Sequence, residues 1–181
     1  MNVPFGDLKR DKLETYINDK TIDQIIKENI IQVIDKNDFI LGKYVTDFEN
    51  AFAEYCGVKH CVGVSNGLSA LELALIGAGV GKDDEVITVA NTFNATAGAI
   101  LKTGAKVVLV DADEKDFNLD INQVKDKITS KTKVIMPVHL YGQTVDMDSL
   151  IDIRDINGIN IIEDACQSHG SKYQGERAGS F

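Results

Sequence analysis

From residue 61 to residue 163 the chain alternates short, nearly all-apolar runs with stretches of helical periodicity, and few folds accept that alternation. The runs are Cys61-Val62-Gly63-Val64, then residues 85–89, 106–110, 133–137 and 159–163. Helical stretches are predicted between them, near 67–78, 93–103, 120–128 and 146–156. Asp120 stands where a helix N-cap belongs, and Gly79 and Gly104 stand where helices would stop. A strand that is apolar on successive residues must be covered on both faces. Strand and helix in turn therefore predict an α/β fold, a mostly parallel sheet flanked by helices. Upstream, Ile22, Ile25, Ile26, Ile30, Val33 and Ile34 recur at helical spacing. Tyr44, Val45, Phe48, Phe52 and Tyr55 mark a second helix, with Gly57 at its end. With no repeat, low-complexity tract or linker, the 181 residues read as one α/β unit.

Charge and cysteine content narrow the function. The net charge of −9, from 28 acidic and 19 basic residues, argues against a nucleic-acid binder. It argues equally against attachment to anionic membranes through basic patches. No stretch approaches the roughly 20 apolar residues that span a bilayer. The first residues lack the charged and apolar regions of a signal peptide. Three cysteines, Cys56, Cys61 and Cys166, form an odd set without C-x-x-C spacing or a histidine cluster. Neither a disulfide framework nor a metal site is expected, and a reducing cytoplasm suits such a chain.

In open α/β sheets ligands sit beyond the carboxyl ends of the strands, so the segments there are the candidates. Ser65-Asn66-Gly67-Leu68-Ser69 leads into a helix. Its small residues and the free N–H groups of a helix start could hold a phosphate, or could simply make a turn. Neither the dinucleotide nor the P-loop glycine pattern occurs. In Asn91-Thr92-Phe93-Asn94-Ala95-Thr96, Phe93 could stack on a flat ligand, although burial in the core is the commoner use of an aromatic. Glu163-Asp164-Ala165-Cys166-Gln167-Ser168-His169-Gly170 sets an acidic pair at the end of an apolar strand. A carboxylate there needs a cation, a metal or several donors, and capping a helix is the competing role for Asp164. His139, in Pro137-Val138-His139-Leu140-Tyr141-Gly142-Gln143, reads as a hydrogen-bonded structural residue rather than a general base.

Taken together and in this order, the segments resemble the DegT/DnrJ/StrS family of pyridoxal-phosphate (PLP)-dependent nucleotide-sugar aminotransferases. The resemblance also includes Val3-Pro4-Phe5-Gly6-Asp7-Leu8, Ile40-Leu41-Gly42-Lys43 and Glu54-Tyr55-Cys56-Gly57-Val58-Lys59-His60. It implies the large domain of a fold type I, aspartate aminotransferase-like enzyme, with residues 1–181 as its N-terminal portion and the small C-terminal domain absent. By the same resemblance Gly67, Leu68 and Ser69 match the turn that holds the cofactor phosphate. Phe93 matches the aromatic stacked on the pyridine ring, Asp164 the carboxylate facing the ring nitrogen, and Gln167 the partner of the phenolic oxygen. The family usually has Thr where this chain has Leu68, which can offer only its backbone N–H. Asn-Gly-Leu at this turn is similar to members that aminate the sugar at C3.

The resemblance further implies that the Schiff-base lysine lies beyond Phe181, because no lysine of the chain falls on the matching position. The chain alone is therefore expected to be inactive, a fragment of an enzyme that moves an amino group from glutamate to a nucleotide-linked keto-deoxysugar. Such enzymes serve polysaccharide synthesis and work as homodimers. The alternatives are a sugar dehydratase of the same family, in which His replaces that lysine, and a non-catalytic binding or regulatory module.

Overall fold

A computed structural model describes residues 16, 17 and 19–181. The Val3-Pro4-Phe5-Gly6-Asp7-Leu8 segment lies outside the described residues. The chain divides into two compact units, one ending at Ala51 and the other running from Phe52 to Phe181.

Among the described residues the first unit begins with a minimal antiparallel hairpin, β1 (Tyr16–Ile17) and β2 (Lys20–Thr21). Helix α1 (Ile22–Lys36) follows from a capping box. The Thr21 hydroxyl accepts from Gln24 N at 3.2 Å, and the Gln24 carboxamide oxygen accepts from Thr21 N at 2.9 Å. The helix stops at Asn37, whose φ of 53° is left-handed. The predicted isoleucine stripe is helical, yet no α1 residue is buried. Helix α2 (Lys43–Cys56) carries the chain across the unit boundary and ends at Gly57, with φ +76°.

The second unit holds α3 (Gly67–Gly77), β3 (Glu85–Val89), α4 (Asn94–Lys102), β4 (Lys106–Val110) and α5 (Ile121–Lys127). After these come β5 (Thr132–Met136), α6 (Met147–Asn157) and β6 (Asn160–Ile161). The four strands form one parallel sheet in the order β4-β3-β5-β6. Alternate residues of the two central strands serve opposite cores. Val86, Val134 and Met136 pack with Leu71, Leu75, Ala99 and Ile100 of α3 and α4. Ile87, Val89 and Ile135 pack with Val124, Met147, Leu150 and Ile153 of α5 and α6. A period of two with both faces covered is why these runs read as continuously apolar.

The helix ends follow their caps. Asp120 receives Asn122 N at 2.8 Å at the start of α5, and Asp146 receives Ser149 N at 3.2 Å at the start of α6. Gly158, with φ 67°, closes α6.

Three departures are physical. The run 61–64 belongs to no strand of the sheets described, and Val62 and Val64 are 76% and 40% exposed. The strand expected at 159–163 narrows to Asn160–Ile161, although pairing resumes at the isolated bridge between Val138 and Asp164. A further hairpin, β7 (Lys172–Tyr173) with β8 (Glu176–Arg177), turns through Gln174 and Gly175 at φ 49° and 96°. Two successive positive φ angles are the signature of the two-residue hairpin turn. Among the described residues no helix is long and apolar enough to cross a membrane.

Candidate functional site

The carboxyl ends of β3, β5 and β6 and the start of α3 converge on a cavity of about 410 Å³. Its wall includes Gly67, Leu68, Phe93, Thr96, Asp164 and Gln167.

At the start of α3, Asn66 is extended (φ −170°, ψ 170°) and its side-chain oxygen accepts Ser69 N at 2.9 Å. That cap satisfies the amide of the third helical residue. The N–H groups of Gly67 and Leu68 remain as the first-turn amides outside the intrahelical ladder, at the positive end of the helix dipole. Ser69 does not line the cavity; its hydroxyl lies 3.2 Å from that of Ser65. A side chain at position 67 would press on Cys166 Sγ, 3.3 Å from an added Cβ, so glycine keeps the turn close to the 164–167 loop.

Asp164 is 7% exposed. Its backbone is held on both sides, donating from N to Pro137 O at 2.9 Å and accepting His139 N at 3.0 Å. It caps no helix. Its Oδ2 accepts the Thr96 hydroxyl at 3.1 Å, and Oδ1 accepts Cys166 N at 3.3 Å. Among the described residues no cationic side chain pairs with it. A buried carboxylate with only neutral donors is electrostatically incomplete, and this one faces a cavity.

Phe93 is 71% exposed at the start of α4, so it is not a core residue. It contributes an aromatic wall to the cavity that holds Asp164. Gln167 is oriented by the backbone, its Oε1 accepting Tyr141 N at 2.9 Å. The carboxamide nitrogen is consequently the end left to donate to a ligand. Tyr141 adopts φ 57° as it presents that N–H, inside the 3-10 turn Leu140–Gly142.

Burial, and then the Asp164 carboxylate beside it, push the Cys166 thiol up to about 11. His139 is fully buried with both ring nitrogens engaged, Nδ1 by Val145 N at 3.1 Å and Nε2 by Glu163 at 2.8 Å. It is a structural residue, as its position suggested. Among the described residues no cluster of acidic, histidine and cysteine side chains could hold a metal ion.

Thr96 is the neighbour of Asp164 that the sequence did not single out. It is 1% exposed, bonded to both Thr92 and Asp164. Thr92 lies just before α4, and its spacing of four from Thr96 lets the two hydroxyls meet at 3.0 Å. That was the available signal, but the partner 68 residues away was not visible in it.

The family model described as the DegT/DnrJ/EryC1/StrS aminotransferase family matches residues 20–181. The chain belongs to that family. It is 46% identical, over 100% of its own length and 47% of the relative's, to a protein of Geobacillus stearothermophilus named pleiotropic regulatory protein. It is 43% identical, over 99% of its length and 47% of the relative's, to dTDP-3-amino-3,6-dideoxy-alpha-D-galactopyranose transaminase of Aneurinibacillus thermoaerophilus. A crystal structure of S. venezuelae DesV in complex with a ketimine intermediate superimposes with a TM-score of 0.91 at 41% identity. That match covers 99% of this chain and 46% of DesV. The architecture is thus that of the PLP-dependent aminotransferases, as expected. The chain spans a little under half the length of these relatives.

Proposed function

We propose that this chain carries most of the PLP-binding site of an enzyme that transfers an amino group from glutamate to a nucleotide-linked keto-deoxysugar. One observation carries the reading: Asp164 is buried against a cavity with an aromatic wall, and its partners are neutral donors alone. A pyridine nitrogen held protonated would supply the missing positive charge. The residues present fit the rest of the cofactor. The Gly67 and Leu68 amides at the helix start suit its phosphate, Phe93 its ring face, and the donating end of Gln167 its phenolic oxygen.

Bound there, PLP supplies an electron sink for the carbon that exchanges its amino group. The chain's own part is to bind and orient. Asp164 keeps a proton on the ring nitrogen, with Thr96 and the Cys166 amide fixing its oxygens. The α3 N-terminus holds the phosphate end, with Ser69 serving it indirectly by donating its backbone N–H to the Asn66 cap.

No lysine among the described residues lines the cavity. In this reading the lysine that joins the cofactor lies outside residues 1–181, and these residues by themselves do not transfer amino groups. They form the N-terminal portion of a large domain in a cytoplasmic homodimer whose product feeds polysaccharide synthesis.

The test is PLP titration of the wild-type chain and of Asp164→Asn, with a transfer assay on the complete reading frame. Saturable binding that Asp164→Asn weakens at least about tenfold, the equivalent of one lost charge-assisted hydrogen bond, supports the proposal. Equal binding by both proteins overturns it. A deoxygenated sugar product without a new amine replaces transamination by dehydration, and absence of either product points to a regulatory module.

A further inference from the structure

The acidic pair at the end of β6 splits its duties. Asp164 lines the cavity, whereas the side chain of its neighbour Glu163 is almost fully buried and does not. The Glu163 carboxylate accepts three N–H groups. Oε2 takes Gly179 N at 2.7 Å and His139 Nε2 at 2.8 Å, and Oε1 takes Phe181 N at 2.8 Å. The Val145 N–H already points at His139 Nδ1, so the ring is the neutral tautomer with its proton on Nε2, donated to Glu163.

His139 begins the turn that carries two contacts of the cavity wall. Its own N–H bonds Asp164 O at 3.0 Å, and two residues on, the Tyr141 N–H holds Gln167 Oε1 at 2.9 Å. A continuous chain of hydrogen bonds and backbone therefore links Glu163 to the orientation of the Gln167 carboxamide. We propose that Glu163 is a positioning residue for the cofactor: by pinning His139 it fixes the 139–141 turn, and so decides which end of Gln167 faces the cavity. The inference rests on the PLP reading above.

The donor set makes the requirement specific. A carboxylate can accept from all three N–H groups, whereas a carboxamide has one accepting oxygen and an NH2 that would face a donor. Glu163→Gln can keep its one oxygen on His139 and Gly179 and lose only Phe181, so Glu163→Met, close in length and without a carboxylate, is the variant that releases His139. A side chain that merely fills space would tolerate the change.

The experiment is a double-mutant cycle on the full chain. PLP dissociation constants and the absorption spectrum of the bound cofactor are measured for wild type, Glu163→Met, Gln167→Ala and the double variant. Each single change should weaken binding by about three- to tenfold, the worth of one hydrogen bond. The double variant should bind no worse than the weaker single, because both remove the same contact, and Glu163→Met should reproduce the spectral shift of Gln167→Ala. Multiplying effects, or wild-type affinity and spectrum in Glu163→Met, overturn the inference while Asp164→Asn keeps the cofactor reading intact. If wild type does not bind PLP, or Asp164→Asn binds as well, the cofactor reading falls and this inference with it. Should Glu163→Met lack a cooperative melt, His139→Phe takes its place in the cycle and must show the same non-additivity with Gln167→Ala.

Discussion

The hydroxyl of Thr96, on α4, donates to Oδ2 of Asp164 across 3.1 Å, and the two residues are 68 positions apart in the chain. Both are buried. This bond joins the first turn of a helix to the end of the neighbouring sheet and fixes one oxygen of the carboxylate that faces the cavity.

Thr96→Val keeps the shape and removes that donor. The buried oxygen then loses its partner, at a cost of about 1–3 kcal/mol in stability. Urea unfolding should show this loss, and saturating PLP should recover part of it by bringing a positive charge to Asp164. A variant as stable as wild type, with no added response to PLP, would contradict the role given to Thr96.

At the other end of the cavity, Asn66→Asp separates capping from anion binding. Aspartate caps a helix as well as asparagine does, so thermal stability should be unchanged or slightly higher. Its negative charge lies beside the Gly67 and Leu68 amides, so affinity for PLP and for inorganic phosphate should fall together. Unaltered phosphate affinity would mean that the anion is bound elsewhere.

Cys166 reaches the surface, yet its thiol is held up to about 11 by burial and by the Asp164 carboxylate. The thiolate is the reactive form. Alkylation by iodoacetamide near neutral pH, read by peptide mass spectrometry, should therefore be much slower at Cys166 than for an ordinary cysteine. It should accelerate in Asp164→Asn. Rapid labelling of the wild-type thiol at neutral pH would refute the assignment.

On the opposite end of the sheet, hydrogen bonds from Lys106 at 2.9 Å and Thr129 at 2.7 Å lower the Glu85 carboxyl below its ordinary value of 4.5. A carboxyl depressed in the folded state contributes stability that is complete above that ordinary value. The contribution is lost as pH falls through the lower folded value. Wild type should thus exceed Glu85→Gln in stability near neutral pH, with the gap closing in acid. A gap that stays constant into strongly acidic solution would falsify the linkage.

Much of this architecture is legible in the residues themselves. The apolar runs at 85–89, 106–110 and 133–137 predict strands buried on both faces, and the sheet is built from them, but 106–110 lies at its edge with Leu109 46% exposed. Asp120, Gly79, Gly104 and Gly57 mark helix ends through local chemistry that needs no tertiary partner. The run 61–64 shows the limit of such reading. It has strand composition, and no strand of the described sheets contains it. Phe93 shows the converse, since an aromatic residue is expected in the core and this one is mostly exposed on a cavity wall.

The sequence by itself determined the order of elements, the caps, and the segments that could reach the ligand end of the sheet, because each depends on residues within a few positions of one another. Only the tertiary structure decided how those segments act on each other. Thr96 became the partner of Asp164, Tyr141 turned Gln167, and Glu163 was withdrawn from the cavity to hold His139 and residues 179–181. Adjacent residues at the end of a strand point to opposite sides, so two neighbouring carboxylates in sequence came to serve different surroundings, and which one met the cavity depended on how β6 lies against β5.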